Sequence, residues 1–380
     1  MSFFYNDFET ASFMASNLDD KISTDSIAVG GQNYLTITSL SIRQAVGGTQ
    51  LVGTIQKQYF ILKEISSDGN IQTVDVIYPF YPILMYLQPS LAKLMLDPLF
   101  EMQESGLYPV KSAMHDIGSH YPNATGHLDG RDEPQPLEEC GNMLIMTLAY
   151  AQRTNDTKYL AQHYDILKQW TEYLVQEALI PANQISTDDF AGSLANQTNL
   201  ALKGIIGIQS MAMVSNMTGH DTEGANYTSI AKEYIAKWQS YGIAHDAMPP
   251  HTTLAYGQND THGLLYNLYA DSLLGLNFVP RSIYEMQSTF YPTIKKTYGV
   301  PLDTRHSYTK SDWEIWTASI SSPETRAMFI SDLSNWIGKT TADFGFPDIF
   351  DTVSGDRVAS IPFASRPVVG GHFALLALLA

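Results

Sequence analysis

The chain alternates between two kinds of helix, and that alternation limits the folds open to it more than any other feature. Helices of one kind are apolar nearly all round and rich in small residues. The candidates are 36–46, 79–104, 136–153, 196–217, 262–275, 310–320 and 370–380. Helices of the other kind keep one polar face bearing Tyr and Lys, as at 157–175, 222–240, "PRSIYEMQSTFYPTIKK" and "SPETRAMFISDLSNWIGKTT". A helix with no polar face belongs inside and an amphipathic one outside. Short connections make chain neighbours antiparallel, so about six helical hairpins closed into a ring, an α/α toroid, satisfy both demands. An open α-solenoid would also bury the apolar helices, but it calls for a fixed repeat, and none is visible.

The remaining segments fit around that ring. Residues 1–20 read as an amphipathic helix with Phe4, Phe8, Ala11, Phe13 and Met14 on one side. A second helix follows and is stopped by Gly47 and Gly48. Residues 51–75 change character, with short alternating apolar runs ending in Ser-Asp-Gly, which predicts a β-hairpin insertion. Pro82, Pro89 and Pro98 are expected to break the helices of 79–104. We take 1–380 as one catalytic toroid domain. No signal peptide is visible in "MSFFYNDFETAS", and the chain stops inside an apolar run, so a piece of a longer precursor is expected.

Composition excludes several functions. With a formal charge of −17, the chain lacks the clustered Lys and Arg that nucleic acid or an anionic membrane requires. No run is long enough for a membrane span. The single cysteine, Cys140, allows no intrachain disulfide. Six Asn-x-Thr sequons, at Asn123, Asn155, Asn196, Asn216, Asn226 and Asn259, favour a secreted glycoprotein. There is no G-x-S-x-G elbow, P-loop or G-x-G-x-x-G, so no nucleotide cofactor and no serine nucleophile are expected. A small-molecule substrate remains; oligomeric state is open.

The candidate chemistry lies just ahead of the apolar helices. The polar loop 115–142 gathers His115, Asp116, His120, His127, Asp129, Asp132 and Glu133 and runs into Glu138 and Glu139. Further acids precede other inner helices: Asp75, then Asp188 and Asp189, then Asp312 and Glu314. In a toroid these starts converge on one cleft. Converging carboxylates raise one another's pKa, so one can hold a proton while its neighbour accepts one. An acid at a helix start is equally an N-cap or dipole partner, so the argument rests on the set. Tyr78, Phe80, Tyr81, Tyr121, Phe190, Trp313 and Trp316 interleave with the acids and are either cleft walls or core. Arg366, Lys203 and Arg131 are the cations placed to take a carboxylate. The histidine spacing matches no zinc pattern, so no metal is expected, and Cys140 reads as a buried small hydrophobe rather than a nucleophile.

"SSDGNIQTVDVIYPFYPILMYLQPSLAKLMLDPLFEM", "HDIGSHYPNATGH", "PLEECGNMLIM", "STDDFAGSLANQTNLALKGI" and "KSDWEIWTA" together resemble the fungal secreted glutaminase A family over essentially the whole chain. The resemblance implies a six-hairpin toroid and an extracellular enzyme converting L-glutamine to L-glutamate and ammonia. It also implies a β-rich domain ahead of the toroid, most or all of which is missing here. Site roles follow from the cleft argument. Asp116 and Glu139 handle water and the leaving ammonia. Asp189 or Glu314 holds the α-ammonium, and Arg366 or Lys203 the α-carboxylate. Asp75, Tyr81, His115, Glu138, Asp188, Asp312 and Trp313 line the substrate. Glycosidases use the same toroid with paired carboxylates, which makes glycoside hydrolysis the alternative reading; a non-catalytic helical scaffold is a third.

Overall fold

The computed structural model describes residues 7–342 and 345–380. Helix α1 spans Phe8–Gly47 but is two helices joined at Gly31, whose φ of 71° interrupts the helical turn. Its first half leaves Phe8, Phe13 and Met14 exposed; Phe4 lies outside the described residues. Strands β1 (Thr49–Gly53) and β2 (Gln58–Leu62) form an antiparallel hairpin with Thr49 opposite Leu62. The tight connection is at 54–57. The Ser-Asp-Gly turn comes after β2, where an isolated bridge pairs Lys63 with Ile71.

Hairpins of helices follow in order: α2 (Val74–Leu87) with α3 (Ser90–Glu104), then α4 (Pro136–Thr154) with α5 (Thr157–Gln162) and α6 (Tyr164–Glu177). Next come α7 (Thr198–Met217) and α8 (Asp221–Gly242). After a short β3–β4 pair (Ile243–Ala244, His251–Thr252), a 3₁₀ turn at Tyr266–Leu268 leads into α9 (Tyr269–Leu273), and α10 (Arg281–Ile294) returns outside it. Strand β5 (Tyr308–Lys310) opens α11 (Ser311–Ile320), followed by α12 (Pro323–Ile337) and β6 (Ile349–Asp351), which pairs with β5. A 3₁₀ helix at Pro367–Phe373 continues into α13 (Ala374–Ala377).

The inner segments close a ring. α2 packs on α4, α4 on α7, α7 on the 266–268 turn, that turn on α11, α11 on the 367–373 helix, and this last on α2. Burial explains the assignment. α4 is buried from Leu137 to Ala151 without a break, whereas α6 buries only one stripe that includes Ile166, Leu167, Trp170 and Leu174. The six-hairpin toroid expected from the alternation is the observed architecture. Two inner assignments change. Residues 36–46 lie outside, packing on the 367–373 helix and α12, with Leu40 and Val46 exposed. The 79–104 run is one inner and one outer helix, parted at Pro89.

Pro82 and Pro98 sit inside helices rather than ending them. Pro79 also lies within α2, and a helical proline frees the carbonyl four residues back. That carbonyl is Asp75's, and the Thr187 hydroxyl reaches it at 3.4 Å. The ring closes where Gly370 and Gly371 meet α2. A Cβ on Gly370 would stand 2.6 Å from the Phe80 carbonyl, and one on Gly371 2.7 Å from that of Pro79. Among the described residues no helix is long and apolar enough to cross a membrane.

Candidate active site

The starts of the inner helices bring the acids together. Asp75 lies in the first turn of α2, Glu138 and Glu139 in the first turn of α4, and Asp312 in the first turn of α11. Lys203 sits one turn into α7, and Asp188 lies in the loop just before a 3₁₀ turn at Asp189–Ala191. The long 105–135 loop drops His115 and Asp116 among them. Glu138, Glu139, Asp312 and Lys203 are fully buried, and Asp75, His115, Asp116, Asp188 and Arg366 are nearly so.

Each buried lysine or arginine here has its own carboxylate. Lys203 pairs with Glu138, donates to the Asn142 side-chain oxygen at 2.6 Å, and stands 3.7 Å above the Tyr78 ring. Lys310 pairs with Asp312 and faces the Trp313 ring. Arg366 lies 3.3 Å from Asp348 and 4.0 Å from Glu64. Its Nε has no hydrogen-bond partner among the described residues.

His115 is the centre of the acid group. Its Nδ1–H donates to Asp116 Oδ2 at 2.9 Å. Its Nε2 is 3.5 Å from both Asp75 Oδ1 and Glu133 Oε2. Asp116 is held further by the Gly118 N–H at 2.6 Å and by His127 Nε2 at 2.9 Å. Both Asp116 oxygens are therefore engaged, and Asp116 fixes the orientation of His115 rather than presenting a free carboxylate. His127 also faces Asp132 at 3.3 Å, and Asp132 accepts the His115 backbone N–H at 2.6 Å.

Electrostatics separate the acids. Burial opposes ionisation of Asp75, but the His115 imidazole outweighs it and holds that carboxyl below the usual range. Burial and the charge of Asp75 push Glu139 well up. Burial raises Asp188 to about 6, although it accepts from Tyr266 at 2.7 Å and from Trp313 Nε1 at 3.0 Å. Burial, with Asp75 and Glu133 beside it, raises Asp189 to about 7; Arg366 pulls the other way. Burial raises Asp312 to about 6 against Lys310.

The expected set is thus gathered with a few exceptions. Glu314 turns out of the cleft: its Oε1 accepts the Val300 N–H at 2.8 Å, and Asp332 and Lys295 are the charges it feels. Tyr81 donates to the Met146 carbonyl at 2.6 Å and braces α2 on α4, while Tyr78 takes the cleft position. Trp313 stacks on Tyr266 with ring centres 4.1 Å apart and supports Asp188 from behind. Arg131 and Tyr121 lie exposed, away from the group. Cys140 is buried, accepts the Ala113 N–H, and burial drives its thiol far above the usual range. Lys310, Asp348 and Asn142 carry site contacts that the motifs did not single out. Lys310 had a signal, two residues before Asp312 at a strand-to-helix switch; Asp348 had none. A surface depression of about 540 Å³ between the β-hairpin and α3 is lined mostly by apolar side chains such as Ile61, Ile71 and Met102 and holds none of these acids.

Fold and site together define a closed α/α toroid whose inner-helix starts enclose a carboxylate-rich, cation-balanced centre. Solved structures with this fold include a bacterial glucoamylase complexed with acarbose (TM-score 0.58, 7% identity, 80% of this chain and 48% of that one). Another is described as a wild-type glycosidase (TM-score 0.57, 13% identity, 96% and 97% covered). Residues 31–376 match the Glutaminase A six helical-hairpin domain, and the chain belongs to that family. It is 61% identical over 378 residues to a Glutaminase A of Aspergillus oryzae and 35% identical over 461 aligned positions to a probable glutaminase of Arthroderma benhamiae. The chain spans 55% and 53% of the lengths of those relatives.

Proposed function

We propose that this domain hydrolyses the side-chain amide of L-glutamine to give L-glutamate and ammonia at the carboxylate-lined cleft. The observation that carries the reading is that an acid, Asp189, and a cation, Arg366, lie near enough at the cleft to feel one another's charge without forming an ion pair. An amino-acid head group carries an ammonium and a carboxylate on one carbon, so its site needs both signs close together. Arg366 keeps an Nε that is unpartnered among the described residues for the carboxylate, whereas Lys203 is bound up with Glu138 and Asn142. Asp189 is the member of the expected ammonium pair that faces the cleft. Glu139 handles the water that attacks the amide, and Asp116 acts through His115. The 61% identity to a protein named Glutaminase A supports the same conclusion.

The pH dependence follows from Asp189. Its carboxyl is raised to about 7, so it is neutral below that pH and cannot pair with the ammonium. KM for L-glutamine should therefore rise as pH falls below about 7, by roughly tenfold per pH unit, the penalty for removing the proton before binding. Asp189→Asn should have a raised KM that no longer varies over this range. A wild-type KM that is flat from pH 5 to 8 would remove Asp189 from this role.

We also infer that the protein is secreted and glycosylated. All six sequon asparagines are exposed or half-exposed, so oligosaccharide can reach each of them. Protein recovered from the medium of a fungal host should lose mass on endoglycosidase treatment; an unchanged mass would contradict the inference.

A further inference from the structure

We infer that Asp75, His115 and Glu139 form a binding site for one divalent transition-metal ion of the zinc type. Charge comes first. Lys203, Lys310 and Arg366 each pair with another acid, Glu138, Asp312 and Asp348 respectively, and none of the three makes an ion pair with Asp75 or Glu139. Asp75 is 6% exposed, His115 3% and Glu139 0%. Asp75 Oδ1 and Glu139 Oε1 are buried oxygens without a hydrogen bond among the described residues. Buried carboxylate oxygens left without a partner are costly, and a cation between them relieves that cost.

The spacing fits a metal that would take the place of the His115 Nε2 proton. One donor atom from each of Asp75, His115 and Glu139 lies within 4.8 Å of the other two. His115 Nε2 and Asp75 Oδ1 are 3.5 Å apart, too far for a good hydrogen bond. Two ligands of one tetrahedral ion at about 2.1 Å stand about 3.4 Å apart, which matches that spacing. Glu133 Oε2, also 3.5 Å from Nε2, is a fourth oxygen within reach.

The surroundings of His115 complete the pattern. A metal-ligating histidine characteristically gives its other ring N–H to a carboxylate, which fixes the tautomer and strengthens the donor. Here Nδ1–H donates to Asp116 at 2.9 Å, and Asp116 is itself anchored by the Gly118 N–H and His127. An imidazole with two carboxylates favours zinc, cobalt or manganese over calcium or magnesium, which take all-oxygen shells. The ligands come from the start of α2, a loop and the start of α4, so no spacing within one segment reveals them.

The test is calorimetric titration of zinc into the untagged full chain after chelator dialysis, with ammonia release assayed separately on the same samples. One equivalent of zinc should bind saturably, magnesium should not compete, and cobalt should give the visible absorption of a tetrahedral site. Asp75→Asn, which keeps the side chain's shape, should abolish stoichiometric binding. Asp116→Asn leaves all three ligands and should weaken binding about 10–100-fold. Circular dichroism verifies the fold of each variant. The inference is overturned by absence of saturable zinc binding, or by affinity unchanged in both folded variants. Calorimetry reads metal binding whether or not glutamine is hydrolysed; because a metal on Glu139 would occupy the oxygen assigned to the attacking water, the ammonia assay is run on both metal-free and zinc-loaded protein.

Discussion

Glu139→Gln should lower kcat for L-glutamine by about 10²–10⁴, the range that one positioned proton-transferring group supplies. Glutamine keeps the volume of the side chain and can still accept from Asn142 Nδ2, which sits 3.0 Å from Glu139 Oε2. It cannot take or hold a proton at Oε1, the atom without a hydrogen-bond partner among the described residues, beside Asp75 and His115. The expected signature is a fall in kcat with little change in KM or melting temperature, because the proposed head-group contacts, Asp189 and Arg366, lie elsewhere. Steady-state kinetics and a thermal melt measure both sides. Near-normal turnover in the folded variant would remove Glu139 from the chemistry.

Lys203→Ala should have the largest effect on stability. It strands Glu138, which is fully buried and whose second oxygen already lacks a partner among the described residues. Removing one partner of a buried ion pair costs about 3–5 kcal/mol, more than the pair contributes, because the remaining charge must be kept in a poorly polarisable surrounding. The Lys203 ammonium also leaves the face of Tyr78, 3.7 Å away. The double variant Lys203→Met with Glu138→Leu removes both charges and should recover most of the loss. Urea unfolding of the three proteins decides it; a single variant as stable as the parent would mean that the pair carries no such weight.

The toroid was legible because burial writes itself into composition. Inner helices such as α4 and α7 have no polar face to spare, and α6 does. Residues 36–46 were misplaced because their small polar residues mimic an inner helix. Ser41 points inward to His372 at 2.6 Å, while Leu40 beside it faces water. Proline was over-read: Pro82 and Pro98 lie within helices whose neighbours are close-packed, where the loss of one hydrogen bond does not end the element.

The acids were legible as a set because each precedes an apolar helix. Their facing was not, and Glu314 shows why. Two residues along a helix turn the side chain by about 200°, so Asp312 and Glu314 cannot both face the same cleft. Asp312 takes Lys310 on the inside and Glu314 takes the Val300 N–H on the other side. His115 was legible only as one of several loop histidines. Its role as the centre depends on Asp75 and Glu139, far from it in sequence or separated by the loop's own path.

The most direct test of glutamine hydrolysis at this cleft is ammonia release from L-glutamine by the purified chain, run beside a panel of aryl glycosides. Hydrolysis predicts ammonia and L-glutamate in equal amounts and no sugar. Sugar release without ammonia would contradict it and assign the same carboxylates to a glycosidic bond.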